Sequence, residues 1–513
     1  MAGSDVVVLK EFLCLLIQVK FIEIYSSEKD DRTIQHGLLP IQSPQHGHYT
    51  VVVKNDDANQ VLKCLDQLKC HFTWELAIGK AEISDLESRI LEEIEFLDTK
   101  YNVGIRNLQA YVEHLKGHND KALKSLEDAE RLIQKEHADQ SDMKSLVTWG
   151  NYAWVCYHLG RLADARMYLD KVENTCKKLL SPFRFQMACP EVDCEEGWAL
   201  LKCGGKHCER ALKCFQSALE MEPENPEFNT GYAITAYRLE NSNRYKNERV
   251  SSLDSLRKAV RLNPEDAYIK VLLALRLQDE GQEKEGKKYI EEVLNLKSSQ
   301  MYIFRYVAMF YRKARCMDKA IELLQKALQA MPNSTVLNHQ IGLCYRDKLV
   351  QIKVATNMQP VGRDREEIDR YAELAILHFK LAVKQKPTFD IVLLHLALVY
   401  IEVGKYDEAE DNFKKLFSMT PIEESTLQKA HFYYGRFQGY QKNSITDAIK
   451  HYLKATQIGE PSFITDQSIN SLKKLALRKL QRNEFDKEAL SLLEYVHKLE
   501  GEAQAAGGHH EQA

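Results

Sequence analysis

The chain has 513 residues, 44% hydrophobic and 28% charged, with a formal net charge of −4. This is ordinary for a soluble helical protein. The near-neutral balance excludes bulk attraction to a polyanion, so any such site must be a local concentration of Lys and Arg. The 12 cysteines fall at irregular spacings without a CxxC pair, which argues for reduced thiols and against a zinc site. No metal or cofactor is expected.

Residues 1–57 differ from the rest. Val6 to Tyr25 is apolar and β-branched, and Ser26 to Asn55 is polar without a period. Lys10, Glu11, Lys20 and Glu23 leave the apolar part short of the roughly 20 clean residues of a membrane span. The charge also comes too late for a secretory signal. Residues 1–57 therefore read as an atypical segment outside the main fold, and the chain as cytoplasmic, with no membrane partner.

Helical sequence begins near Val61, and Ser84-Asp85-Leu86-Glu87 reads as a capping box. A recurring pattern follows. Ala375, Phe379, Ala382 and Pro387 return 34 residues later as Ala409, Phe413, Leu416 and Pro421. The same ladder reads Ala211, Phe215, Ala218, Pro223 and Ala320, Leu324, Ala327, Pro332. That period is the tetratricopeptide helix–turn–helix unit. Small residues let two helices approach, the large one fills the gap, and Pro stops the second helix. In chain order, units form around Ala122 to Ala129, Ala153 to Leu169, Ala199 to Pro223 and Ala233 to Pro264. Others follow at Ala274 to Ile290, Ala308 to Pro332, Gly342 onward, Ala397 to Pro421 and Ala448 to Ala455. Polar insertions fall at Asn241–Glu248 and Val354–Glu367. A helix over Ile469–Arg482 precedes a tenth unit that opens at Ala489 and breaks off after Gly501. The expected fold is all-α, a tetratricopeptide-repeat superhelical solenoid over 58–501, with 502–513 a disordered tail. Each unit leaves an apolar face open, so units stack and create a long inner surface.

The first helix of each unit lines that surface through its second, fifth, twelfth and thirteenth positions. Registering the units on their small eighth residue puts Arg238, Tyr268, Arg305, Arg312 and His339 there. Their own helices carry no in-register acids, so the cluster calls either for an anionic ligand or for acids from neighbouring helices. Arg suits phosphate because its planar fork donates two hydrogen bonds. Trp198, Tyr237, Tyr268, Tyr306 and Tyr311 interleave with these charges, as single-stranded nucleic acid requires. Trp198 sits next to Ala199 and by pattern alone reads as core. No P-loop, HExxH or GxSxG occurs, so no enzyme is expected.

The chain resembles the interferon-induced proteins with tetratricopeptide repeats, in particular their first-numbered, cap-recognising branch and its paralogue-like forms. The resemblance runs from about Leu62 to Gly501. It rests on Cys70-His71-Phe72-Thr73-Trp74, Glu95-Phe96-Leu97-Asp98-Thr99-Lys100-Tyr101, Cys194-Glu195-Glu196-Gly197-Trp198-Ala199, Asn225-Pro226-Glu227 and His339-Gln340-Ile341-Gly342-Leu343-Cys344-Tyr345. It implies a cytosolic, interferon-induced antiviral protein that sequesters viral RNA by its 5′ end. By this resemblance Arg89, Lys202, Arg238, His339 and Gln340 hold the 5′ phosphates. Trp198 and Ile234 stack on a cap guanine, with Leu97, Thr99 and Glu227 nearby. Tyr268, Arg305, Tyr306 and Arg312 hold the following nucleotides. Cys208 stands where cap-recognising relatives carry Tyr, and Glu93 where they carry Gln; Asp266 and Met309 also differ. These changes bear on the mode of 5′-end recognition. Family members are the expected protein partners, through C-terminal helices, with association weakened because the sequence stops within the tenth unit. The alternative is a scaffold whose Arg-lined groove holds an acidic peptide.

Overall fold

The computed structural model describes residues 55–79, 82–83, 86–87, 90–91, 102–136, 138–242, 251–295, 303–459 and 462–508. The expected N-terminal segment therefore lies outside the described residues, apart from the start of a helix at Asn55–Leu65. Ser84 and Asp85 of the expected capping box lie outside them too, while Leu86 and Glu87 are helical. Among the described residues there is no strand. No helix there is long and apolar enough to cross a membrane.

The helices fall into two compact units. Of the described residues, one unit holds 55–239 and 251–269, the other 240–242 and 270–508. In the first, helix Asn102–Leu115 packs on Asn119–Glu136, Leu146–His158 on Leu162–Lys178, and Pro190–Cys203 on Cys208–Met221. In the second, Ile303–Lys313 packs on Met317–Ala330, Thr335–Ala355 on Arg363–Gln385, and Asp390–Glu402 on Tyr406–Phe417. Glu424–Tyr440 then packs on Ile445–Gln457, and Phe463–Arg482 on Lys487–Gly508.

The ladder read from the sequence is the packing. Phe215, Phe379 and Phe413 are wholly buried, as are Ala211, Ala218, Ala375, Ala382 and Ala409. Glycine sets how closely the helices approach these rings. A Cβ on Gly231 would come within 2.2 Å of the Phe215 ring, and one on Gly342 within 2.5 Å of Phe379.

The turns inside the pairs repeat as well. Gly117, Gly160, Gly281 and Gly404 close their helices with φ of +79, +72, +76 and +77. The amide after each reaches back to a carbonyl five residues earlier, as Arg161 does to Cys156 at 2.9 Å. In the pair Ile303–Ala330 this position is Arg315, with φ of +60, and Cys316 makes the same bond to Tyr311 at 2.8 Å.

Two expectations change. Half of the polar stretch 354–367 is absorbed into two long helices, Thr335–Ala355 and Arg363–Gln385, leaving 356–362 as the connection. Helix Lys487–Gly508, which contains the expected start of the tenth unit, packs on Phe463–Arg482. Lys473 binds Glu500 at 2.8 Å across that pair, and Lys479 binds Glu488. Finally, 502–508 continue this helix rather than forming a disordered tail. Glu502, Ala503, Gln504, Ala505 and Ala506 are good helix formers and extend an existing helix without a new nucleus. Residues 509–513 lie outside the described residues.

Candidate nucleic-acid interface

In the first unit, two neighbouring helices carry the expected residues one turn apart. Helix Pro190–Cys203 presents Trp198 and Lys202, and helix Pro226–Ser242 presents Ile234 and Arg238. An i, i+4 spacing puts each pair on one face. Pro190 and Pro226 start these helices, and the Asn225 carboxamide accepts the Glu227 amide at 2.9 Å. The Arg238 guanidinium donates to the Leu201 carbonyl at 3.0 Å, which ties it to the helix of Lys202. It also lies near Cys208, whose buried thiol is pushed up by desolvation and pulled back by this charge.

Trp198 is half-buried, edge-on to Phe215 at 5.3 Å. The Glu227 carboxylate, near enough to Trp198 to feel it, accepts from the Cys194 thiol at 3.7 Å. Burial is the main reason that Glu227 is pushed up to about 7; Lys144 opposes the shift and Glu191 adds to it. Glu195 is likewise raised to about 7 by burial, against a 2.8 Å hydrogen bond from Asn107 and with the charge of Glu227 adding to the rise. Lys144 bonds Glu191 at 3.3 Å. This surface is thus bipolar: carboxyls at the start of the two helices, cations near their ends, and an indole between. Ile234, only 3% exposed, underlies it as core. Tyr268, also in this unit, is half-buried on a helix whose first amides bond Asp266.

In the second unit, Arg305 donates to the Tyr306 hydroxyl at 2.6 Å and lies over that ring at 4.6 Å. Arg312 is buried and donates to Gln340 at 2.9 Å, with the Asp347 carboxylate 3.9 Å from its Nε. An acid from the next helix thus partly balances Arg312, as the second sequence reading anticipated. His339 is buried, 2.8 Å from His395 and stacked on it.

Arg89, Leu97 and Thr99 lie outside the described residues, as does Glu93. The other expected residues divide between the units: Trp198, Lys202, Glu227, Ile234, Arg238 and Tyr268 in the first, Arg305, Tyr306, Arg312, His339 and Gln340 in the second. Sequence reasoning missed Glu195 and Asn107, whose partnership spans 88 residues and leaves no local signal. It missed His395 for the same reason. Arg346 carried a signal that went unread: it occupies position twelve of its repeat, as Arg312 does. No cluster of three or more metal-ligating side chains occurs among the described residues.

Paired helices on a repeating Ala/Gly–Phe ladder, with cations and aromatics on their first helices, define a tetratricopeptide-repeat protein. The tetratricopeptide-repeat family profile matches residues 392–423. The human antiviral innate immune response effector IFIT1 is 60% identical over 460 residues, covering 90% of this chain and 96% of that protein. The structure of a human IFIT1 dimer with m7Gppp-AAAA superposes with a TM-score of 0.78 at 58% identity, covering 88% of this chain and 98% of that one. A human IFIT1 dimer with PPP-AAAA gives 0.75 at 56% identity, with the same coverage of 88% and 98%. The chain belongs to the family of interferon-induced proteins with tetratricopeptide repeats.

Proposed function

We propose that this protein is an interferon-induced antiviral effector that binds single-stranded RNA by a 5′-triphosphate or capped end and withholds it from translation. The observation that carries the reading is Trp198, set between the Glu227 carboxyl and the cations Lys202 and Arg238. A ring face receives a base, a carboxylate favours a cationic base, and the cations receive phosphates. Relatives solved with m7Gppp-AAAA and PPP-AAAA support both kinds of 5′ end.

In the first unit, Lys202 and Arg238 hold 5′ phosphates, joined by Arg89. Trp198 and Ile234 form the cap site with Leu97, Thr99 and Glu227, and Tyr268 stacks on a following base. In the second, His339 and Gln340 supply polar contacts to phosphate, while Arg305, Tyr306 and Arg312 hold nucleotides. The protein works by binding in the cytoplasm, without catalysis, and pairs with family members. The IFIT1 dimers support this last point.

The test is binding of one short RNA in 5′-triphosphate, capped and 5′-hydroxyl forms. The first two should bind and the third should bind far more weakly. Equal binding of all three, or tighter binding of an acidic peptide, would replace this reading with the scaffold.

A further inference from the structure

Helix Thr335–Ala355 carries a cation that its surroundings leave unanswered. Arg346 is only 2% exposed and is the bulkiest of the fully buried side chains. Its Nε has no hydrogen-bond partner, and among the described residues its guanidinium forms no hydrogen bond or ion pair. The lysines on the same helix are answered: Lys348 bonds Asp318 at 2.6 Å, and Lys353 bonds Glu402 at 2.6 Å. A buried guanidinium without a counter-charge is strongly unfavourable, because desolvation is not repaid.

Its place in the repeat supplies the reason. Arg346 lies 34 residues after Arg312, so both hold position twelve of successive repeats, on the helix face expected to point inward. One repeat earlier the same position is Gln278, whose buried Oε1 also lacks a partner. Polar groups that cannot titrate away thus recur on one register of consecutive first helices. Arg stays charged at any physiological pH, so it cannot escape by losing its proton.

We propose that Arg346 binds a phosphodiester of the RNA chain, one repeat beyond the nucleotide held by Arg312. This rests on the RNA-binding reading above and deepens it. The planar fork of Arg346 donates two hydrogen bonds to two phosphate oxygens, and the incoming charge balances the buried cation. His339 and Gln340, the proposed phosphate contacts, come about two turns before Arg346 on the same helix, so Arg346 acts only on RNA that extends past them.

The experiment compares the parent chain with Arg346→Met, which keeps the length of the side chain without its charge. 5′-Triphosphate RNAs of about two and about eight nucleotides serve as probes. Arg346→Met should weaken binding of the longer RNA by roughly ten- to a hundredfold and leave the shorter one unchanged. The log–log salt slope for the longer RNA should become shallower by about 0.7, the share of one phosphate. Without RNA, its melting temperature should hold or rise, since an unanswered buried charge has gone. Arg346→Lys, a point charge without the fork, should bind with intermediate strength. A parent chain that binds neither RNA would sink the RNA reading itself. Parent binding that Arg346→Met leaves intact at both lengths would overturn this inference alone. So would an Arg346→Met protein that melts far below the parent without RNA, since Arg346 would then be structural.

Discussion

At the scale of single residues, the environment of Glu227 makes a charge conditional. Burial raises its carboxyl from 4.5 to about 7, so the folded chain takes up a proton that the unfolded chain has already lost. Stability from this group therefore falls as pH rises between about 4.5 and 7, and above that the penalty is fully present. Glu227→Gln should raise the melting temperature by a few degrees at about pH 8 and change it little at about pH 4, as followed by circular dichroism. A variant less stable than the parent at the higher pH would show that Glu227 has an ion partner instead. The same titration governs a cationic guanine: the ionised carboxylate attracts it, so capped-RNA affinity should increase from pH 6 to pH 8, roughly the span of this titration. Trp198 divides its ring between Phe215 and the site. Trp198→Ala should weaken capped RNA by about 1–3 kcal/mol, the usual worth of stacking one base, and triphosphate RNA by less. Titrations with the two RNAs measure this directly, and an equal loss for both would refute stacking on the cap.

At the scale of helix pairs, stability rests on close approach and on the turn between partners. Gly231 faces the Phe215 ring with no room for a methyl group. Gly231→Ala should therefore destabilise by about 1–3 kcal/mol through overpacking, read as a lower thermal midpoint. An unchanged midpoint would mean that the Phe215 ring has somewhere else to go. The turn at Arg315 gives the opposite sign. This residue holds φ of +60 at the place where Gly117, Gly160, Gly281 and Gly404 stand in other pairs. Arg315→Gly should stabilise by roughly 0.5–1 kcal/mol, because relief of the left-handed conformation outweighs the added freedom of the unfolded chain. Differential scanning calorimetry can show the gain.

At the scale of the whole chain, a net charge of −4 must coexist with a positive site. Much of the positive charge is already answered by local acids, as in Lys270 with Glu292 or Arg276 with Glu240. The cations proposed to bind RNA are then a small, local set, and salt should report their number. Affinity for 5′-triphosphate RNA should fall with a log–log slope of roughly −0.7 per phosphate contacted. Measured between low and physiological salt, a flat response would exclude phosphate recognition.

The repeat was legible in the sequence because its causes are local and periodic. Residues such as Ala375, Phe379 and Ala382 recur so that helices can pack, and glycine is favoured where φ is positive, so composition and spacing carry the information. The places of Arg238, Arg305 and Arg312 were legible for the same reason, since they hold fixed positions in that period. What answers those cations was not legible. The Arg238 bond to the Leu201 carbonyl, the Gln340 and Asp347 contacts of Arg312 and the stacking of His339 on His395 join residues brought together only by folding. Trp198 shows the division most clearly. Its neighbours in the sequence mark it as core, and Phe215 does hold one edge. Its nearness to Glu227 and the raised acidity range of that carboxyl come from a helix nearly 30 residues further on, because burial and electrostatics are sums over space rather than along the chain.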